Sequence, residues 1–212
     1  MKKSLLLIFI FSFTVLFAEY SYSISKITPE VKKRMIKGNS WRKGCPVSLK
    51  DLRYLKLTHI DFNGRDKTGE IIVHKEIAHE VTEIFEALYE IGYPVRKMKL
   101  VSDFKGNDWQ SIEADNTSAF NCRSATGSKK WSKHSYGKAI DINPIENPYI
   151  ARSGRISHNA SLKYRKRVHT NLTYADKAVL LKNDKATKIF EKYGWLWGGD
   201  WPVVKDYQHF SK

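Results

Sequence analysis

The amino-acid sequence predicts an α+β domain built around an antiparallel sheet. In residues 52–62, apolar and polar side chains alternate with a period of about two. Turn residues follow at Asn63 and Gly64, and residues 70–73, Glu-Ile-Ile-Val, are mostly apolar. This pattern predicts a β-hairpin. Apolar residues then recur every three or four positions, which predicts a helix, and a short strand-like segment ends the chain. Because no strand–helix–strand unit repeats, these elements favour an α+β fold over a parallel α/β fold.

The N-terminal segment is predicted to be removed from the mature protein. Lys2 and Lys3 precede an apolar run at residues 5–17, and small and polar residues follow it, which is typical of a secretory signal peptide. The run is shorter than the roughly 20 residues that a membrane-spanning helix needs, so no transmembrane anchor is expected. We assign residues 1–23 to the signal peptide, with cleavage after Ala18 or after Ser23. The protein is therefore expected to be periplasmic or secreted.

The remaining residues are predicted to form one domain with a short basic lead-in. Residues 24–44 are polar and basic, and we expect them to lie on the surface with at most one short helix. Residues 45–212 are numerous enough to enclose a core, and we expect a monomer. After the hairpin, the pattern predicts a helix over residues 77–91, a strand at 97–102, an exposed loop at 103–118, a short strand at 138–143, a surface loop at 151–174, helical segments at 174–181 and 184–193, and a final strand at 206–210.

The charge of the chain indicates an anionic partner. Lysine and arginine number 37 and aspartate and glutamate 22, a formal net charge of +15. For an exported protein, an anionic cell-wall polymer or a membrane surface suits this charge. Binding to nucleic acid through charge alone is a further alternative, but the basic residues are scattered and no nucleic-acid motif accompanies them, so no specific nucleic-acid partner is expected.

Two cysteines, Cys45 and Cys122, remain for an oxidising compartment, where a single disulfide between them is the natural expectation. Two separate buried thiols are the alternative. Neither cysteine has a second one nearby in the sequence, so a cysteine-based zinc site is not expected. Metal ligands must be sought among histidine and aspartate.

Three residues are candidate ligands of one catalytic zinc ion: His134, Asp141 and His209. A zinc ion that catalyses hydrolysis takes three protein ligands and keeps a fourth position open. Asp141 lies on a predicted strand entering the core, where an unpartnered carboxylate would be costly to bury. A cation meets that need, and the alternative is that Asp141 pairs with a lysine or an arginine. His209 on the last predicted strand supplies the third ligand.

Further residues are candidates for catalysis and substrate binding. Asp206 is three positions before His209, and we expect it to act as the general base toward a zinc-activated water; its alternative role is to hold a ligand histidine. Arg123 could stabilise an oxyanion or hold a substrate carboxylate, or it could be an ordinary surface arginine. Tryptophans crowd before the last strand, at Trp195, Trp197 and Trp201, and either pack in the core or wall a substrate cleft, with Trp197 as the candidate contact.

Several separated motifs resemble a known family. They are Ser-x-His-x-x-Gly-x-Ala-x-Asp at residues 132–141, Asp-x-x-His at residues 206–209, the tryptophan-rich residues 194–201, and residues 116–123 and 141–149. This set resembles the zinc D-alanyl-D-alanine carboxypeptidase and L-alanyl-D-glutamate endopeptidase family over most of residues 40–211. The resemblance implies the hedgehog/DD-peptidase fold, a small antiparallel sheet with flanking helices that holds one zinc ion. It also implies that His134, Asp141 and His209 bind zinc, that Asp206 is the catalytic carboxylate, and that Arg123 and Ser132 contact substrate or oxyanion.

The resemblance further implies a zinc metallopeptidase that hydrolyses stem-peptide amide bonds of bacterial peptidoglycan. Where many relatives have Glu before the last histidine, this chain has Asp206, which is more similar to the endopeptidase branch. We therefore expect an L,D-endopeptidase of the L-Ala-D-Glu type, with a D-alanyl-D-alanine carboxypeptidase as the alternative. A more remote alternative is a wall-binding module that has lost catalysis.

Overall fold

The computed structural model describes residues 19–170 and 172–212. Its helices and strands confirm the α+β class, and all pairs of named strands are antiparallel. Within the described residues, eight strands form three small sheets, with orders β1-β2-β3, β4-β8-β6 and β5-β7. The strands are β1 (Tyr22–Lys26), β2 (Leu52–Ile60), β3 (Asp66–His74), β4 (Ala139–Asp141), β5 (Tyr149–Ile150), β6 (Leu196–Trp197), β7 (Lys205–Asp206) and β8 (His209–Ser211). This arrangement is consistent with the hedgehog/DD-peptidase fold.

Five α-helices accompany the sheets in the described residues. They are α1 (Pro29–Lys37), α2 (Ala78–Glu90), α3 (Asp108–Glu113), α4 (Tyr174–Lys177) and α5 (Lys185–Lys192). Short 3₁₀ helices lie between them at Leu49–Asp51, Lys75–Ile77, Val101–Phe104, Lys133–Tyr136, Asn159–Arg165 and Gly198–Asp200. No described helix is both long and apolar enough to cross a bilayer.

The predicted hairpin and the predicted long helix are confirmed, and together they build the main core. In the hairpin, β2 and β3 pair from Leu52 opposite His74 to Ile60 opposite Asp66. The apolar stripe of α2 packs against this sheet because its residues at three- and four-residue spacing share one face. Burying each such side chain stabilises the fold by about 1.5–3 kcal/mol. The same core takes in the sheet that carries the candidate ligands, through Ile140 and Phe210.

The segment at residues 24–44 is more than a surface lead-in. It contains most of β1, which adds a third strand beside β2, and the helix α1, which Thr28 caps at its N-terminus. Met35 of α1 is fully buried in a second core cluster beside Leu52 and Cys122. The buried apolar residues of α1, Val31 and Met35, lie on the face that meets the body of the protein, whereas Ile36 is 49% exposed. Of the predicted signal peptide, residues 1–18 lie outside the described residues.

Three other predictions of secondary structure were wrong. Residues 97–102 do not form a strand; Met98 makes only an isolated bridge to Thr117. Residues 103–118 contain α3 rather than a continuous exposed loop, because Asn107 caps this helix and Asn116 is buried with its side chain bonded to the backbone of Lys99. The expected final strand at residues 206–210 is two short strands, β7 and β8, which pair with different partners.

Candidate active site

A short 3₁₀ helix, Lys133–Tyr136, places His134. Ser132 precedes this helix and its hydroxyl accepts a hydrogen bond from the His134 N–H at 3.3 Å. Gly137 ends the helix with a φ of +66°, and a Cβ there would lie 2.7 Å from the backbone nitrogen of His74. The turn therefore requires glycine both for its backbone conformation and for its close approach to β3.

The imidazole of His134 is oriented by the backbone. Its Nδ1 lies 2.6 Å from the carbonyl oxygen of Ala119, and a hydrogen bond there requires Nδ1 to carry the proton. The Nε2 atom is then left as a lone-pair donor. Histidines that bind metals usually have their other ring nitrogen held in this way, which fixes the tautomer and the ring direction.

Asp141 and His209 face each other because β4 and β8 pair with these two residues opposite. His209 Nδ1 lies 2.9 Å from one carboxylate oxygen of Asp141, and His134 Nε2 lies 3.1 Å from the other. The two imidazole nitrogens are 3.2 Å apart. All three residues are buried, and their candidate ligand atoms lie within 4.8 Å of one another. The three residues that the sequence singled out thus converge on one point.

The charges at this point are strongly coupled. Burial alone would raise the pKa of Asp141, but its charge and hydrogen-bond interactions with His134 and His209 outweigh burial and hold that pKa far below its usual range. For His209, burial opposes the charged form, yet the hydrogen bond and negative charge of Asp141 raise its pKa above the ordinary value. Among the described residues, the ion pairs of Asp141 are with these imidazoles and not with a lysine or arginine.

The cluster fits a zinc ion. Two imidazole nitrogens and a carboxylate oxygen are donors that zinc prefers, and three protein ligands are typical of catalytic zinc sites. Ligands at about 2.0–2.1 Å from a tetrahedral zinc lie roughly 3.3 Å from one another, close to the observed separations of 2.9 to 3.2 Å. His134 Nε2, His209 Nδ1 and the carboxylate of Asp141 would hold the ion. Together they form a candidate metal site.

Asp206 lies on β7, opposite Tyr149 of β5, and lines the same cleft as the cluster. Gln208 donates a hydrogen bond from Nε2 to its Oδ1 at 3.2 Å. Gly198 packs directly beneath it, since a Cβ at residue 198 would lie 2.5 Å from the Asp206 carbonyl oxygen. Burial, and secondarily the negative charge of Asp141, raises the pKa of Asp206 to about 6. A carboxyl group with this pKa can take up and release a proton near neutral pH.

Arg123 also reaches the cleft. Its backbone is held by Ser135, whose hydroxyl accepts from the Arg123 N–H at 2.9 Å and contacts the Arg123 carbonyl at 2.6 Å. Its guanidinium Nη2 pairs with a carboxylate oxygen of Asp108 at 2.9 Å. The neighbouring Cys122 forms the predicted disulfide with Cys45, which ties this segment to the chain ahead of β2. Arg123 is therefore neither isolated nor an ordinary surface arginine.

The cleft has a volume of about 540 Å³. Its floor is the cluster with Asp206, and Ser132 lines it as well. Three tryptophans form part of its walls: Trp109, Trp131 and Trp201. Trp197 does not line the cleft, contrary to the prediction: it is 4% exposed, packs in the core and donates its indole N–H to the Tyr207 carbonyl at 2.8 Å.

The sequence alone does not single out several residues of the cleft, among them Asp108, Trp109 and His158. The rings of Trp109 and His158 pack together with centroids 3.8 Å apart and their planes tilted by 31°. Asp108 and Trp109 begin α3, within a segment whose polar composition predicted a loop, and His158 lies in a long basic loop. No local sequence pattern marks these residues, because only the tertiary fold brings them close to Arg123 and to the three candidate ligands.

Comparison with protein families agrees with this geometry. Residues 126–212, about two-fifths of the chain, match the family model described as D-alanyl-D-alanine carboxypeptidase. Searches of curated proteins and of solved structures gave no significant match. The matched range contains Ser132, Asp206 and all three residues of the metal cluster, whereas Arg123 precedes it. Residues 126–212 are therefore similar to the D-alanyl-D-alanine carboxypeptidase family, and this match together with the grouping of His134, Asp141 and His209 indicates a metallopeptidase.

Proposed function

We propose that the protein is a zinc metallopeptidase that hydrolyses stem-peptide amide bonds of bacterial peptidoglycan. The observation that carries this proposal is the position of Asp206 in one cleft with His134, Asp141 and His209. The family description supports a peptidoglycan substrate, since D-alanyl-D-alanine terminates stem peptides. The donor set supports zinc.

Zinc bound at this cluster supplies Lewis acidity, which polarises a carbonyl group and makes water a stronger nucleophile near neutral pH. Asp206 accepts the proton of the attacking water and returns it to the leaving amine. Its position on β7 directs the carboxylate into the cleft, and Gly198 leaves room for that position.

Arg123 and Ser132 contribute substrate contacts. The guanidinium of Arg123 offers fixed donors to a carbonyl oxygen or a carboxylate, and such preorganised donors stabilise the charge that develops during hydrolysis. Ser132 combines two roles, because its hydroxyl caps the turn of His134 and its side chain lines the cleft. Trp109, Trp131 and Trp201 supply apolar walls for the remainder of the peptide.

Within this class we infer an L,D-endopeptidase of the L-Ala-D-Glu type. Aspartate as the catalytic carboxylate favours that branch, and a cleft of about 540 Å³ lined on several sides accommodates more than a terminal dipeptide. A D-alanyl-D-alanine carboxypeptidase is the second candidate, because the matching family bears that description and Arg123 could hold a terminal carboxylate.

We further propose export and action at the wall. The apolar run at residues 5–17 supports a signal peptide, and the Cys45–Cys122 disulfide suits an oxidising compartment. The net positive charge, which loses only Lys2 and Lys3 with the signal peptide, would hold the protein on an anionic wall polymer. Of the two cleavage positions considered, cleavage after Ala18 is favoured, because cleavage after Ser23 would remove Tyr20 and part of β1 from the fold.

The experiment that tests the proposed function is digestion of defined muropeptides followed by mass analysis of the products. The L,D-endopeptidase assignment predicts cleavage between L-Ala and D-Glu, which leaves the glycan with a single L-Ala. Release of free D-Ala instead would establish the carboxypeptidase. Intact muropeptides after prolonged incubation with the zinc-loaded protein would contradict both assignments.

A further inference from the structure

The guanidinium of Arg123 already has an acidic partner inside the cleft. Arg123 Nη2 and Asp108 Oδ2 are 2.9 Å apart, with the two side chains 24% and 34% exposed. Both residues line the cavity that contains the metal cluster. The Arg123 side chain also donates from Nη1 to the Ser124 carbonyl at 3.2 Å, whereas its Nε is buried with no hydrogen-bond partner among the described residues. The only anionic side chain paired with this guanidinium in the described structure is therefore Asp108.

The two partners are held in place from both sides. Ser135 fixes the backbone of Arg123, and the Cys45–Cys122 disulfide is next to it in the chain. On the opposite side, Asp108 is the first residue of α3, and the following Trp109 packs against His158 with ring centroids 3.8 Å apart. Because the backbones of Asp108 and Arg123 are both held in place, the fold itself brings the two side chains together.

This pairing has a consequence for the substrate, which rests on the proposed function. A substrate that ends in a free carboxylate at Arg123 must share the guanidinium with Asp108 or displace it. Two carboxylates on one guanidinium repel each other, and the repulsion is strong in a partly enclosed cleft. The neutral carbonyl of an internal peptide bond meets no such repulsion.

We propose that Asp108 is a specificity-determining residue that biases the cleft against peptides with a free C-terminal carboxylate at Arg123 and toward internal bonds. Asp108 neutralises Arg123 in advance, so a cation that could select a chain end instead serves as a hydrogen-bond donor to a neutral carbonyl. The assignment gives a physical basis for endopeptidase action in a family described by a carboxypeptidase.

Binding measurements test this proposal without relying on turnover. Asp206→Asn protein, loaded with zinc so that peptides bind without being cut, is titrated calorimetrically with a peptide ending in D-Ala-D-Ala and with the same peptide as its C-terminal amide. The further substitution Asp108→Asn keeps the shape of the side chain and removes its charge. It should raise the affinity for the carboxylate peptide relative to the amide peptide by about fivefold, as expected for a partly exposed ion pair.

The matched control is Asp51→Asn, which removes a carboxylate paired with Lys75 at 2.7 Å outside the cleft; its affinity ratio should equal that of the parent. An unchanged or lowered ratio in Asp108→Asn would overturn the proposal, as would an equal rise in the control. Failure of the wild-type protein to cut any stem peptide would count against the proposed function instead, and the affinity ratio would still decide the role of Asp108.

Discussion

Asp141 and His209 stand opposite each other on paired strands, and the His209 Nδ1 lies 2.9 Å from the Asp141 carboxylate. The pairing of β4 with β8 thus sets two of the three candidate ligands by backbone hydrogen bonds alone. The third, His134, is placed independently by a capped 3₁₀ helix. Each candidate ligand is thus positioned by its own backbone element.

Replacing Asp141 by asparagine should abolish tight metal binding and leave the fold intact. The amide keeps the size of the side chain but removes the negative charge that two imidazoles and a cation require. We expect zinc affinity to fall by at least about a hundredfold. Competition with a chromophoric chelator measures it, with Asp51→Asn as the control. Parent-like zinc affinity in Asp141→Asn would show that the ligand set is wrong.

Gly198→Ala should lower activity while the metal stays bound. A Cβ at residue 198 would lie 2.5 Å from the carbonyl oxygen and 2.9 Å from the Cβ of Asp206, so the catalytic carboxylate must shift. A misplacement of about 1 Å can cost about a hundredfold in rate. The measurement is kcat on a muropeptide beside the zinc content of the same sample. Leu196→Ala, at a neighbouring residue that is 69% exposed, is the control. Full activity in Gly198→Ala would remove Asp206 from the mechanism.

Glu146 should make the protein less stable as the pH rises. Burial, with the negative charge of Asp115 beside it, raises the pKa of Glu146 to about 9. At pH values between the pKa of Glu146 in the unfolded chain, about 4.3, and its pKa of about 9 in the folded protein, the folded protein keeps a proton that the unfolded chain releases. Stability from this group is therefore complete below the unfolded pKa and is lost as the pH rises toward 9.

Glu146→Gln tests this dependence, because its amide cannot titrate. Urea unfolding at pH 5, 7 and 9 should show the variant gaining stability relative to the parent as the pH rises, by at most about 1.4 kcal/mol per pH unit. Tyr164→Phe, which removes the hydroxyl that Glu146 accepts from at 3.2 Å, keeps the carboxyl group and should retain the pH dependence. A constant difference between Glu146→Gln and its parent would contradict the assigned protonation.

The N-terminus of the mature protein should be Glu19. Tyr20 packs against the core and donates its hydroxyl to the Thr82 carbonyl at 2.9 Å, and Tyr22 and Ser23 pair with β2. A chain that begins at Ile24 loses these contacts, and we expect it to be less stable than a chain that begins at Glu19 by about 2 kcal/mol. Intact mass of the exported protein and urea unfolding of both chains measure this. Equal stability of the two chains would contradict the structural reason for preferring cleavage after Ala18 over cleavage after Ser23.

The sequence was most informative where chemistry and local pattern coincide. His134 and Asp141 sit in one motif with a required glycine, and His209 follows Asp206 closely, so these residues could be chosen without coordinates. Asp108, Trp109 and His158 could not, because they come together only when α3 and the loop before residue 159 fold over the cleft.

Predictions failed where amino-acid composition does not determine which way a side chain points or where a strand breaks. A cluster of tryptophans says nothing about which rings face a cleft, and Trp197 points into the core while Trp201 lines the site. The sequence predicts one strand at residues 206–210, but β7 ends at Asp206 and β8 begins at His209. That break lets Asp206 pair beside Tyr149 while His209 meets Asp141.

Hydrolysis of stem peptides is proposed to require a metal held by His134, Asp141 and His209. The direct test is digestion of defined muropeptides before chelation, after chelation and after return of one equivalent of zinc. We expect cleavage, loss of cleavage, and recovery in step with bound zinc, with no recovery in Asp141→Asn. Cleavage that continues undiminished in a protein shown to contain no metal would contradict it.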